Sequence, residues 1–127
     1  MKSNVVADKS FGFAKDIIFL YKRIVDEHSE YVMSKQLLRS GTSIGANIME
    51  ALKGQSKSDF LCKMYISMKE TNETEYWLRL LLDTGFIKKS TGEKMIGKCE
   101  ELLRILNAII LTTKKSMKKI IKNAKNN

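Results

Sequence analysis

Two runs of the chain hold the residues whose types and spacing could do chemistry. In the first, Arg39, Ser43, Asn47 and Glu50 stand four, four and three residues apart. On a helix that spacing puts them on one face. In the second, Glu70 and Glu73 lie on one face with Ile66, Leu80 and the single tryptophan, Trp77. Paired carboxylates do general acid–base work when their surroundings push their pKa values apart. Inward-facing glutamates also hold metal pairs in some bundles, with Glu-x-x-His motifs completing the ligand set. Here the only histidine is His28 and no Glu-x-x-His exists, so the metal reading fails. Ser43 has no histidine base at a usable spacing,. Gly41, Gly45 and Gly54 are separated and follow no strand, so they form no phosphate-cradling loop,. We therefore expect no catalytic residue, no metal and no cofactor. A ligand site is one reading of the first face. We adopt the other: Arg39, Ser43, Asn47, Glu50, Glu70, Glu73 and Trp77 form a structural polar network, within the bundle or at a subunit interface. In that network Glu70 and Glu73 accept hydrogen bonds or pair with Arg39 or Arg79.

These faces need helices to present them, and the sequence supplies four. The chain of 127 residues has no proline, and 43% of its residues are apolar. That is enough for a core, and no ring interrupts a long helix. No stretch alternates with period two, so the chain reads as all-α. The first helix is expected at about residues 12–28, capped by Ser10, with Phe13, Ile17, Leu20 and Ile24 recurring at helical spacing,. The second is expected at about 31–53, with Leu37, Gly41, Ile44, Ile48 and Ala51 inward and Gly54 ending it,. The third spans about 57–84, opened by Ser56-x-x-Asp59 and closed by Gly85,. The fourth spans about 91–122, opened by Ser90-x-x-Glu93, with a disordered tail at 123–127,. The short connections favour antiparallel neighbours. The expected architecture is one domain over residues 1–127, an up-and-down antiparallel four-helix bundle.

Charge singles out one end of that bundle. The net charge is +9, yet residues 114–127 hold six lysines and no acid, leaving +3 for residues 1–113. Lys114, Lys115, Lys118, Lys119 and Lys122 repeat at helical spacing, with Met117, Ile120, Ile121 and Ala124 on another face. Such a helix suits phosphate backbone or anionic lipid. It lacks aromatics for base stacking. The competing reading is an extension of the fourth helix with a solvated lysine face. We take these five lysines as the candidate nucleic-acid-binding residues, with RNA or DNA as partner.

Cys62 and Cys99 stand alone, which fits small buried groups in a reduced, cytoplasmic protein,. No window approaches the ~20 apolar residues of a membrane span, and the first twelve residues hold no long apolar core of a signal peptide. His28 suits a helix C-terminus, where its charge complements the dipole.

Three segments carry a family resemblance that covers nearly the whole chain. They are Gln36-Leu-Leu-Arg-Ser-Gly-Thr-Ser-Ile-Gly-Ala-Asn-Ile-Met-Glu-Ala51, Ser56-Lys-Ser-Asp-Phe60 and Lys69-Glu-Thr-Asn-Glu-Thr-Glu-Tyr-Trp-Leu-Arg-Leu-Leu81. With them the chain resembles the ribosomal RNA intervening-sequence proteins, some of which are encoded within the bacterial large-subunit ribosomal RNA gene. Many members carry proline where this chain has Gly45 and glycine where it has Ala51. The resemblance implies a four-helix bundle that assembles as a homopentamer and has no established enzyme activity. A related accessory protein of diversity-generating retroelements is a basic pentamer that binds a reverse transcriptase and nucleic acid. By that analogy the partners are further copies of the chain, RNA or DNA, and a nucleic-acid-processing protein. The expected function is a non-enzymatic, homo-oligomeric bundle that binds nucleic acid or a ribonucleoprotein through basic surface. The alternative is a protein-interaction scaffold with no direct nucleic-acid role.

Overall fold

The computed structural model describes residues 4–126. Four helices follow one another: α1 Val5–His28, α2 Met33–Leu52, α3 Lys57–Asp83 and α4 Lys89–Asn126. There are no strands among the described residues. Connections of four, four and five residues make sequence neighbours antiparallel,. α1 packs on α2, α2 on α3 and α3 on α4, while α1 and α4 touch least.

Local chemistry explains the helix ends. The Asn4 side chain accepts the Ala7 N–H at 3.0 Å and starts α1,. The start expected near residue 12, with Ser10 as cap, is therefore corrected. Ser10 lies inside the helix, fully buried, and donates its hydroxyl proton to the Ala7 carbonyl at 3.0 Å. The entrance to α2 is held by Glu30, whose carboxylate accepts the N–H groups of Val32, Met33 and Ser34 at 2.9, 2.9 and 2.8 Å. Desolvation pushes the Glu30 pKa up, but the backbone donors outweigh it and hold the group below its ordinary value,. Ser56 accepts the Asp59 N–H at 3.0 Å and starts α3. α3 ends in a Schellman turn: Phe86 N–H reaches the Leu81 carbonyl at 2.9 Å and Gly85 N–H reaches Leu82 at 3.2 Å,. Gly85 sits at φ +87°, where a side chain would be strained,. Ile87, buried, pins the chain next to that turn, and α4 begins immediately after it. Ser90 thus falls within α4 and is not the start expected of it. The helix also continues to Asn126, so residues 123–126 are helical where a disordered tail was expected. Asn127 lies outside the described residues.

The core combines aliphatic side chains from α1, α2 and α4 with a different surface on α3. Ile17, Ile24, Leu37, Ile44, Ile48, Leu102 and Leu106 are fully or almost fully buried. The inward stripe of α3 is Met64, Ser67, Thr71, Thr74, Leu78 and Leu81. Its hydroxyls are all bonded. Ser67 donates to the Ile44 carbonyl at 2.9 Å, Thr71 to Ser67 at 2.8 Å and Thr74 to Glu70 at 2.7 Å. Small residues keep the helices close. A Cβ added to Gly41 would sit 2.8 Å from two carbons of Ile17, so the Ile17 side chain of α1 rests directly on the α2 backbone. The face that carries Ile66, Trp77 and Leu80 is half-buried, beside this stripe rather than on it.

Candidate nucleic-acid interface

α4 has 38 residues, against 20 to 27 in the other helices. At 1.5 Å per residue it is ~57 Å long. Its last buried residue is Ile110. The first residue of α3, Lys57, donates from its ammonium to the Ser116 hydroxyl. Beyond Ser116 no hydrogen bond or ion pair joins α4 to another helix among the described residues. Residues 114–126, the last ten of them without any such bond, therefore form an arm. Lys115, Lys118, Lys119, Lys122 and Lys125 lie on one arc of it, opposite Ile120 and Ala124,.

The fold adds two residues to the tail lysines that sequence reading passed over. Lys57 stands beside Ser116, and the Lys114 ammonium lies 5.5 Å from the centre of the Tyr65 ring. Tyr65 is 41% exposed. An accessible ring beside cations is the arrangement that stacks on a base and contacts its phosphate. Neither was legible from spacing, because only the antiparallel register of α3 and α4 brings residues 57–65 beside 114–116.

The polar residues of α2 and α3 separate into three groups. Arg39, Glu70, Glu73 and Trp77 meet. Arg39 donates to Glu70 at 3.2 Å and to Glu73 at shorter range, and the Trp77 indole N–H reaches Glu73 at 3.4 Å. The Arg39 side chain is 47% exposed and that of Glu70 14%. The hydrogen bond from Arg39 holds the Glu73 carboxyl below its ordinary value of 4.5,. General acid catalysis asks for the opposite shift. Ser43 and Asn47 bond to their own helix, Ser43 to the Arg39 carbonyl at 2.6 Å and Asn47 to the Ser43 carbonyl at 2.8 Å. Glu50 pairs with Lys63 at 2.7 Å, its side chain 60% exposed. Within one chain, the network expected over these seven residues is thus one cluster of four, two self-bonded side chains and a surface pair. The reason is reach: the short side chains of Ser43 and Asn47 find an i−4 carbonyl before they find α3.

Cys62, expected to be buried like Cys99, is exposed, and the other reactive groups are occupied. Arg79 pairs with Glu75 and Glu100 rather than with Glu70 or Glu73. Burial pushes the Cys99 thiol up to about 12, so it is not a nucleophile,. The His28 ring meets Phe86 edge-on at 5.4 Å. No cluster of three metal-ligating side chains occurs among the described residues. No described helix is long and apolar enough to cross a membrane.

A model of the 23S rRNA-intervening sequence proteins matches residues 2–108. The chain belongs to that family. A crystal structure of a protein of unknown function from the S23 ribosomal protein family of Bacteroides thetaiotaomicron is 52% identical. The match covers 83% of this chain and 97% of that one, with a TM-score of 0.82. No curated protein matches the chain. The family match ends at residue 108, so the lysine arm of this intervening-sequence protein lies beyond it.

Proposed function

We propose that this protein is a non-enzymatic, cytoplasmic, self-associating bundle that binds RNA or DNA through the α4 arm. The observation that carries the reading is that Lys114, Lys115, Lys118, Lys119 and Lys122 crowd one side of a helix end that holds no acid at all, whereas in the bundle acids are interspersed and Lys9, Lys63 and Lys98 each end on a carboxylate. Unpaired lysines on one helical face neutralise phosphates and release counterions, so binding is steeply salt-dependent and largely indifferent to sequence. The family's association with a ribosomal RNA gene supports a nucleic-acid setting. Pentameric assembly follows the family resemblance, and five arms would strengthen a weak site by avidity. The free thiols of Cys62 and Cys99 support a reducing compartment,.

The test is fluorescence anisotropy of a labelled structured RNA, titrated with the protein at several salt concentrations. Saturable binding that weakens steeply with salt is expected. Replacing Lys114, Lys115, Lys118 and Lys119 with glutamine should flatten the log–log salt slope by about three. No binding at low salt would overturn the reading. The scaffold alternative, in which the assembly recruits a nucleic-acid-processing protein, would then lead.

A further inference from the structure

Three rings among the described residues carry a lysine ammonium against them: Phe11 with Lys15, Phe19 with Lys22 and Tyr65 with Lys114, at 5.2, 6.0 and 5.5 Å from the ring centres. All three rings are exposed. They differ in what surrounds them. On α1 each ring has a carboxylate three residues earlier, Asp8 before Phe11 and Asp16, paired with Lys98, before Phe19. Residues three apart share a helix face. Each of those lysines is also a neighbour on α1, four or three residues beyond its ring. Tyr65 has no acid among its helical neighbours: Leu61 and Cys62 lie one turn before it, Met68 and Lys69 one turn after. Its lysine comes from a different helix, and α4 carries no acid after Glu101. The nearest acids along α3, Asp59 and Glu70, each lie more than a quarter turn round the helix from Tyr65,, and Glu70 is held by Arg39.

We infer that the partner of this surface is an unpaired nucleic-acid strand: one base stacks on the Tyr65 ring while the phosphates beside it meet Lys114 and Lys69. The inference rests on the nucleic-acid reading proposed above and narrows it. Lysines alone read charge density, which favours a duplex. A ring selects the opposite. In a duplex each base is covered by its stacked neighbours, so only an unstacked base offers a face to Tyr65. The site is open to it: Tyr65 is 41% exposed, and Lys69 and Lys114 are exposed beside it. At 5.5 Å the Lys114 ammonium stands at the loose end of a cation–π contact,, so it moves to phosphate as the base takes its place. The arm continues the path. Lys114, Lys118, Lys122 and Lys125 follow at intervals of four, four and three, a row ~16 Å long at 1.5 Å per residue that starts at the ring. The hydrogen bond from Lys57 to Ser116 ties the root of that row to α3, the helix that carries Tyr65.

Anisotropy tests the inference with a labelled strand that cannot pair with itself, supplied as RNA and as DNA, and with the same strand annealed to its complement. The wild type should prefer the unpaired strand. Tyr65→Ala should lose at least about fivefold in affinity for that strand, as RNA or as DNA, and nothing for the duplex. Tyr65→Phe keeps the ring and should keep the affinity. Phe11→Ala removes a more exposed ring that stands beside Asp8, and should change neither. Both rings are exposed, so the variants should fold, which helical circular dichroism and its melt will verify. A wild type that prefers the duplex, a Tyr65→Ala variant with unchanged affinity, or an equal loss on strand and duplex would overturn the inference. Salt-dependent binding that the four-lysine variant still weakens would then leave the phosphate reading standing. No binding of either form at low salt would remove both.

Discussion

In the bundle, acids stand among the cations and several pairs close: Lys9 to Glu101, Arg39 to Glu70 and Glu73, Lys63 to Glu50, Arg79 to Glu75 and Glu100, Lys89 to Glu93, Lys98 to Asp16. In the arm, the lysines from Lys114 to Lys125 make no ion pair among the described residues, and α4 is exposed from residue 118 onward. One helix therefore passes through two regimes. Up to Ile110 its apolar stripe is core, and Lys98, Glu100 and Glu101 pair with neighbouring helices. After Met117, which is half-buried, the same periodicity continues on exposed residues. The contrast shows that helix continuity and core membership are separate properties. Lysine and isoleucine extend a helix tolerably well, but only the bundle end decides which turns are buried.

The largest effect is expected where the stripe is truncated inside the bundle. Leu106→Ala should cost ~2–5 kcal/mol, read from the denaturant midpoint, because the surrounding core collapses only partly around the cavity. A loss under ~1 kcal/mol would show that this turn of α4 is not core. Next comes the four-residue cluster. Arg39→Ala leaves Glu70 and Glu73 without their cation and should cost ~1–2 kcal/mol, reduced from a fully buried pair because Arg39 is half exposed,. The same variant sharpens the pH dependence. The Glu73 pKa is lower folded than unfolded, so its contribution is complete above about pH 4.5 and declines as pH falls through the depressed value,. Urea melts between pH 6 and 3 should show a shallower acid loss in Arg39→Ala than in the wild type. An identical slope would remove Glu73 as its source. Glu50→Ala should leave the midpoint close to wild type, since its pair with Lys63 is exposed,. Smallest of all on stability is the four-lysine glutamine variant of the arm, which should stay within ~0.5 kcal/mol while losing affinity for RNA. A large loss of stability there would place the arm in the folded core.

Much of the architecture was legible before any coordinates. Four helices, the inward stripe of α2, the cap at Ser56 and the stops near Gly54 and Gly85 follow from periodicity and end chemistry, which act within a few residues. The lysine arc of the arm was legible for the same reason. Two helix starts were not. Ser10 has a good cap residue's chemistry but lies inside α1, because Asn4 offers a cap one and a half turns earlier and Ser10 packs beside Gly45. Ser90 lost its expected place because the Schellman turn and buried Ile87 set the entry of α4.

Helix content, the positions of most turns and the separation of lysine from isoleucine along the arm are local properties, since each depends on neighbours within one or two turns. Only the tertiary structure decided which face of α3 is core. Ser67, Thr71 and Thr74 read as polar, yet they are buried because each hydroxyl finds a carbonyl on α2 or on the preceding turn,. Tertiary register also chose the partners of Arg39, 31 and 34 residues away, and brought Lys57 and Tyr65 beside the arm. Such pairs depend on how helices align in space, and no periodicity within a single helix encodes that alignment.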